Sequence, residues 1–218
     1  MENKKENQRN LVFSYLTLRQ AIGILGMALP FVLSLGALLL FHTGLQSSIS
    51  DYYHSCMRDV FVGTLWAIGF FLFSYKGYCR SDNIAGNLGC VFAIGVTLIP
   101  DAYGKITMSF NETSGIIHLT FAFLFFCTLI YFSLFLFTKT GTAIPSKKKL
   151  QRNIVYKTCG YIMIICILLI AIIFILPGSI KSHIEALKPV FWLEALAILA
   201  FGVSWITKGE AILKDEVK

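Results

Sequence analysis

Long apolar stretches alternate with short polar segments along the whole chain. Six of these stretches contain almost no Asp, Glu, Lys or Arg. A helix rises about 1.5 Å per residue, so about 20 apolar residues cross a hydrocarbon core about 30 Å thick. The pattern therefore predicts six transmembrane helices, at about residues 21–42, 59–75, 84–100, 115–138, 155–176 and 188–207.

The predicted fold class is all-α, an integral membrane bundle of six transmembrane helices. Residues 1–20 form a polar N-terminal segment that is predicted to be cytoplasmic or interfacial. Residues 21–207 form the six-helix transmembrane domain, and residues 208–218 form a short tail. An even number of spans places this tail on the same side of the membrane as the N-terminus.

Lys and Arg are unevenly distributed between the loops, and the cytoplasmic loops of membrane proteins carry the excess. The side opposite the N-terminus has few of them, namely Arg58, Lys105, Lys181 and Lys188. Both termini are therefore predicted to be cytoplasmic. The basic residues on their side are Lys4, Lys5, Arg9, Arg19, Lys76, Arg80, Lys139, Lys147, Lys148, Lys149, Arg152, Lys157 and those of the tail from Lys208 to Lys218.

The composition agrees with a membrane protein. Of the 218 residues, 56% are apolar and 14% are charged, and the mean hydropathy is +0.70. Soluble domains are about 25% charged, so this composition excludes an ordinary soluble domain. The net charge of +7 does not indicate nucleic-acid binding, because the basic residues lie in short clusters between the spans.

The six cysteines form no CxxC pair and have no metal-site spacing, so we interpret them as packing residues rather than disulfides.

Two patterns concern the packing of the helices. Pro30 lies inside the first span and is predicted to kink it. Small residues recur at a spacing of four on the third and sixth spans, and such rows let helix backbones approach closely. These faces are predicted to be buried in the bundle, with Ala85, Gly89, Ala93, Ala200 and Ser204 at the contacts.

Polar side chains concentrate in SSISDYYHSCMRDVFVG, Ser47 to Gly63, an outward loop that leads into the second span. Other ionisable residues lie at a similar depth, with Asp101 ending the third span, His118 near the start of the fourth and Glu194 near the start of the sixth. Ionisable residues inside a membrane are costly and usually face a partner, the bundle interior or water. We therefore expect Glu194 to pair with His118, with Arg58 or with a bound ion.

Three interpretations of this outward cluster remain open. In the first it is a structural network that fixes helix packing. In the second it is a site for a lipid headgroup or other amphipathic ligand, and in the third it is a hydrolytic site. In the lipid interpretation, Glu194 and His118 form a buried pair and the mouth consists of Asp51, His54, Arg58 and Asp59.

The hydrolytic interpretation is metal-assisted or acid/base catalysis. A catalytic zinc needs three protein ligands and an open position, and the two histidines His54 and His118 would supply them together with one carboxylate, Asp59 or Glu194. No HxxxH or HExxH motif places two ligands on one helix face, so the sequence assigns no cofactor.

The order of three motifs resembles the Frag1/DRAM/Sfk1 family. SISDYYHSCMRDVFVG resembles the segment after that family's first span, where Ile-Ser-Asp is followed by an acidic residue and then Phe-x-Gly. IIHLTFAFLFF resembles its fourth span, and FWLEALAILAFGVSWITKGE resembles its sixth. Tyr52, Tyr53, His54 and Ser55 depart from the Gly/Thr-rich and Pro-Glu loop typical of eukaryotic members. The small size of the chain suits a bacterial relative similar to the DUF998-like membrane proteins.

The resemblance implies six spans, cytoplasmic termini and a role in the handling of membrane lipids. By motif match it implies the site residues Ser50, Asp51, Asp59, His118 and Glu194. We expect a multi-pass protein of the cell membrane, a bacterial inner membrane, with membrane lipids as partners. Whether it forms a homo-oligomer stays open.

A second resemblance concerns YYHS followed by RD. These residues are similar to the Ser/His/Asp pattern of the hemolysin III and adiponectin-receptor superfamily of seven-span, zinc-dependent membrane hydrolases. That superfamily has a paired-histidine motif on its last span, where this chain has FWLEALAILAFG. No seventh span is predicted either, so a metal-dependent hydrolase is the alternative function rather than the main expectation.

Overall fold

The computed structural model describes residues 2–77, 79–99, 108–140 and 145–213. The chain is 82% helical, and no strand occurs in the described residues, so the predicted all-α class is confirmed. A 3₁₀ turn at Ser50–His54 precedes α2, and a π-helical segment at Phe132–Leu136 continues α4. The α-helices are α1 (Glu2–Phe41), α2 (Arg58–Ser74), α3 (Arg80–Leu98), α4 (Met108–Tyr131), α5 (Lys147–Ile175), α6 (Gly178–Glu185) and α7 (Pro189–Lys208).

Four segments are long and apolar enough to cross a membrane, namely Tyr15–Phe41, Thr113–Leu136, Lys147–Ile175 and Pro189–Lys208. These four segments indicate a membrane-embedded, multi-pass protein. The predicted second and third spans coincide with α2 and α3, which are shorter. The 17 residues of α2 extend over only about 25 Å, and α3, with 19 residues, carries several polar side chains in its first turns.

The ends of the helices differ from the sequence pattern in three places. α1 begins at Glu2, so no helix boundary lies at residue 20. α5 begins at Lys147 because the Ser146 hydroxyl accepts the Lys149 backbone N–H at 3.1 Å and caps the helix. The third difference is α6, a short helix between α5 and α7 that the apolar pattern does not reveal.

The six long helices form a closed ring. α1 packs on α2 and α7, α3 packs between α2 and α4, and α5 packs between α4 and α7. Two hydrogen bonds identify the ends of this ring. Phe191 at the start of α7 bonds to Ser47, and we call this the loop end. Gln20 donates to the carbonyl of Gly209 at 2.8 Å, and we call this the termini end.

Small residues make the closest helix contacts. The predicted burial of Ala85, Gly89, Ala93, Ala200 and Ser204 is confirmed. The pattern missed the crossing of α1 and α7, where Gly23 faces Gly202. A β-carbon added at Gly202 would lie 2.7 Å from the Gly23 carbonyl oxygen, so only glycine permits this approach.

Large apolar side chains cover the outside of the ring. Leu40 is 71% exposed and Ile175 is 82% exposed, and many other Leu, Ile and Phe side chains are half exposed or more. Soluble monomers rarely expose so much contiguous apolar surface. This outer surface therefore suits hydrocarbon rather than water.

All six cysteines are free.

Candidate functional site

The loop between α1 and α2 is attached to the first turns of α7. The Ile49 backbone N–H donates to Oε2 of Glu194 at 2.6 Å. The Phe191 backbone N–H donates to the Ser47 carbonyl at 3.0 Å. Hydrogen bonds in which one partner is ionised are about twice as strong as neutral ones. Glu194 therefore positions the backbone of the loop.

The loop is also held by contacts within itself. The Ser48 N–H donates to Oδ2 of Asp51 at 3.1 Å, and the Asp51 N–H donates to the Ser48 hydroxyl at 2.9 Å. This reciprocal pair resembles a capping box and starts the 3₁₀ turn. Tyr52 is fully buried and packs on Phe191, with ring centroids 6.3 Å apart. Burial raises the pKa of Tyr52, although a backbone hydrogen bond with Gln46 acts in the opposite direction.

A cavity of about 170 Å³ lies at the loop end, and we call it the loop-end pocket. Its charged rim combines three acids, Asp51, Glu185 and Glu194, with two cations, Lys181 and Lys188. The rim comes from three parts of the chain, the first loop, α6 and the start of α7. The pocket thus offers charges of both signs within one cavity.

The pocket has an apolar side that faces the outside of the ring. Leu119 of α4 and Phe174 of α5 line it. The same two side chains are 42% and 46% exposed on the surface of the bundle. The pocket therefore reaches the surface that faces hydrocarbon, between α4 and α5.

A second cavity, of about 50 Å³, lies inside the ring, and we call it the inner cavity. Most of its lining is apolar and includes Leu65 and Phe125. Ser50, Ala122 and Glu194 line both cavities. The charged rim and the apolar inner cavity are therefore adjacent, and together they would suit an amphipathic molecule.

His118 is buried, 1% exposed, but it does not pair with Glu194. Its Nδ1 lies 2.8 Å from the Ile99 carbonyl at the end of α3, and its Nε2 has no hydrogen-bond partner in the part of the chain that the structure describes. Neither cavity includes His118 among its described lining residues. His118 thus joins α4 to the end of α3.

The other three candidates of the first loop lie on the protein surface. Arg58 donates to the Tyr53 hydroxyl at 2.8 Å and lies over the Tyr53 ring, 4.4 Å from its centroid. The ring of His54 packs against the edge of Tyr53 at 5.1 Å. Asp59 is exposed in the first turn of α2. The structure therefore brings Ser50, Asp51 and Glu194 together, and it places His54, Arg58 and Asp59 apart from them.

The proposed metal ligands do not meet. Among the side chains that the structure describes, those of residues 15–77, 79–99, 113–140 and 145–213, no group of three or more His, Cys, Asp or Glu is placed to hold a metal ion. His54 and Asp59 are exposed, whereas His118 is buried against α3. Asp101, which was expected at this level, lies outside the described residues.

The sequence pattern missed the cations of the pocket. Lys181 and Glu185 lie on α6, and Lys188 lies just before α7. The signal was present, because Pro177 and Gly178 end an apolar run and a short segment with alternating charges follows. A proline followed by such a segment indicates a short surface helix that covers the end of a bundle.

Comparisons of the chain with protein-family models, with characterised proteins and with solved structures found no match.

Proposed function

We propose that this chain is a six-span membrane protein whose loop-end pocket binds a phospholipid. One observation carries the proposal. The loop-end pocket has a rim with charges of both signs and an opening toward the hydrocarbon-facing surface, and an apolar inner cavity lies next to it. Ligand sites are commonly apolar clefts with a few convergent polar groups. The resemblance to lipid-handling membrane proteins supports the same function.

The six-span topology is part of this proposal. α2 and α3 are short, but they complete the ring between α1 and α4 and so share its depth. A short span is accommodated by local thinning of the bilayer or by flanking polar side chains, at a modest cost. Most of the basic side chains lie at the termini end, which favours a cytoplasmic location for that end and an outward location for the pocket.

The rim suggests the class of headgroup. Lys181 and Lys188 provide cations for a phosphate, and Asp51 and Glu194 provide carboxylates for an amine. A zwitterionic headgroup that carries a phosphate and an amine pairs with the lysines and the carboxylates of the rim at the same time. Its acyl chains would leave through the opening between Leu119 and Phe174.

Native mass spectrometry of the purified protein tests this function through Glu194→Gln. The glutamine oxygen still accepts the Ile49 N–H, so the loop stays attached while the rim loses one negative charge. We expect the fraction of protein with retained phospholipid to fall several-fold. Asp59→Asn is the matched control, since it removes an exposed acid at the same end outside the pocket, and its lipid fraction should equal the wild-type value.

The attachment of Glu194 to Ile49 favours a purely structural role as a second candidate. That role predicts no lipid retained in the wild type, or equal retention in all three proteins with a lower melting temperature for Glu194→Gln. Either result would contradict the lipid function. The hydrolase alternative has no supporting geometry in the described residues.

A further inference from the structure

The termini end holds a buried group of aromatic rings with Trp205 at its centre. The Trp205 ring centroid lies 5.2 Å from Tyr75, 5.2 Å from Phe132 and 5.0 Å from Phe137. Tyr156 packs on Phe137 at 5.4 Å. All five side chains are at most 1% exposed. We call them the aromatic cluster.

The π-helical segment at the end of α4 shapes this cluster. The Phe137 backbone N–H donates to the Phe132 carbonyl at 2.9 Å, which is the bond between residues five apart that defines a π turn. The two rings lie side by side with centroids 5.7 Å apart. Single π turns inside α-helices are rare and occur frequently at functional sites.

Four cations gather around the aromatic cluster. Three of them lie over its rings, at 5.4 Å from a ring centroid for Arg19, 5.6 Å for Lys149 and 5.3 Å for Lys208. Arg152 and Lys208 are each only 8% exposed. Lys208 lies within electrostatic reach of all three other cations. Repulsion between like charges this close together raises the free energy of the folded state when the dielectric constant around them is low.

Two carboxylates lie near these cations. Oε1 of Glu210 is 3.7 Å from Arg152. Asp82 is fully buried, and its charge also reaches Lys208. Asp82 also lies 4.0 Å from Lys139, so the basic side chains outnumber the two carboxylates and leave this region positively charged.

Two buried donors lack an acceptor at the same place. Nε of Arg19 and Nε1 of Trp205 have no hydrogen-bond partner among the described residues. Both side chains lie against the Tyr75 ring, so the two N–H groups belong to one region. The indole N–H of a buried tryptophan usually has a partner, and an unsatisfied buried group points to an absent ion or water.

We propose that the termini end binds a phosphate-bearing anion between α1, α5 and α7. The oxygens of a phosphate accept hydrogen bonds from Arg19 and Trp205, and its charge balances the surrounding Lys and Arg side chains. The phosphate comes either from free phosphate or from an anionic lipid headgroup. This site lies at the opposite end from the loop-end pocket, and it stands whether or not that pocket binds lipid.

Thermal unfolding of the full-length protein tests the site with both sources of phosphate. In one arm, detergent-solubilised protein is titrated with sodium phosphate against sodium chloride at equal ionic strength. In the other arm, the protein is placed in nanodiscs of phosphatidylcholine with or without phosphatidic acid. A ligand that binds only the folded state raises the melting temperature with its concentration. We expect a rise of several degrees in at least one arm.

Three variants assign the effect to this site. Trp205→Phe keeps an aromatic ring but removes the N–H, and Arg19→Gln and Lys208→Gln each remove a cation. We expect each variant to lose at least half of the rise. Lys147→Gln removes an exposed cation at the start of α5 and is the matched control, which should keep the full rise.

A rise with free phosphate identifies a soluble anion, and a rise only with phosphatidic acid identifies a lipid headgroup. If Arg19→Gln or Lys208→Gln does not fold, Trp205→Phe decides the assignment. The proposal is overturned if the wild type shows no rise in either arm, or if Trp205→Phe and Lys147→Gln both keep the wild-type rise.

Discussion

Asp82 and Asp59 both lie in the first turn of a helix but make different contacts. A carboxylate in that position is favoured by the helix dipole. Asp82 is fully buried, accepts the Cys79 backbone N–H at 3.0 Å and lies 4.0 Å from Lys139. Asp59 is exposed. Asp82 thus caps α3 and also joins it to the segment that follows α4.

This contrast predicts unequal costs for the substitutions Asp82→Ala and Asp59→Ala. Removal of a helix cap costs about 0.5–2 kcal/mol, and Asp82→Ala also removes a partner of Lys139. Asp59→Ala removes only a charge–dipole interaction, worth about 0.3–1 kcal/mol. Thermal unfolding in detergent measures both, and we expect the larger drop in melting temperature for Asp82→Ala. Equal drops would show that the cap of α3 contributes little.

At the candidate site, the sequence indicates which end of the bundle a residue occupies but not which way its side chain points. The positions of Ser50, Asp51 and Glu194 along the chain place them at one end of the bundle, and in the structure all three line the loop-end pocket. His118 has the same depth, but it points toward Ile99. Rotation of each helix about its axis depends on the packing of neighbouring helices, and the order of residues alone does not fix it.

At the scale of elements, the contact between α1 and α7 depends on two glycines. A β-carbon at Gly202 would meet the Met27 side chain and would lie 2.7 Å from the Gly23 carbonyl oxygen. Because the second of these atoms belongs to the backbone, the helices must move apart to accept it. The crossing therefore holds the first and last long helices of the ring together.

Gly202→Ala is expected to destabilise the protein by about 1–3 kcal/mol, the usual cost of overpacking. Gly63→Ala is the control, because nothing lies within 4 Å of a β-carbon at that exposed position of α2. Alanine there should be neutral or stabilising by up to about 1 kcal/mol, since it favours a helix over glycine. Melting temperatures of the two variants compare them directly. A Gly202→Ala variant as stable as wild type would mean that α1 and α7 are not in close contact.

The apolar pattern predicted the middles of the long helices better than their ends. Long uncharged runs must be helical in a membrane because every backbone polar group needs an internal partner. The start of α1 at Glu2 and the eight residues of α6 lie outside such runs. Polar helices carry no such constraint, and the π turn at Phe132–Leu136 depends on packing against Trp205 rather than on any local signal.

At the scale of the whole molecule, the ring of helices separates two different environments. The loop end has a mixed-charge rim over an apolar cavity. The termini end has cations packed on buried aromatic rings. The proposed orientation, with the termini end in the cytoplasm, depends on the larger number of basic side chains at that end.

Labelling of two exposed cysteines tests that orientation. Cys56 lies at the loop end and Cys79 at the termini end, and both are exposed. In intact cells that produce versions with only one of these cysteines, a membrane-impermeant maleimide should label Cys56 and should label Cys79 only after lysis. The reverse pattern would contradict the proposed orientation, and labelling of both in intact cells would contradict the six-span arrangement.

Ala122 lines both the loop-end pocket and the inner cavity, so the size of this side chain sets how much space the two cavities offer to a lipid. Phenylalanine at this position would occupy part of the loop-end pocket, while every charged residue of the rim would keep its side chain. Ala171→Phe is the matched control, because Ala171 is exposed on the outside of α5. The decisive measurement is the phospholipid retained by Ala122→Phe and Ala171→Phe in native mass spectrometry. We predict a several-fold loss for Ala122→Phe and wild-type retention for Ala171→Phe, whereas equal retention in both folded variants would contradict a lipid in this pocket.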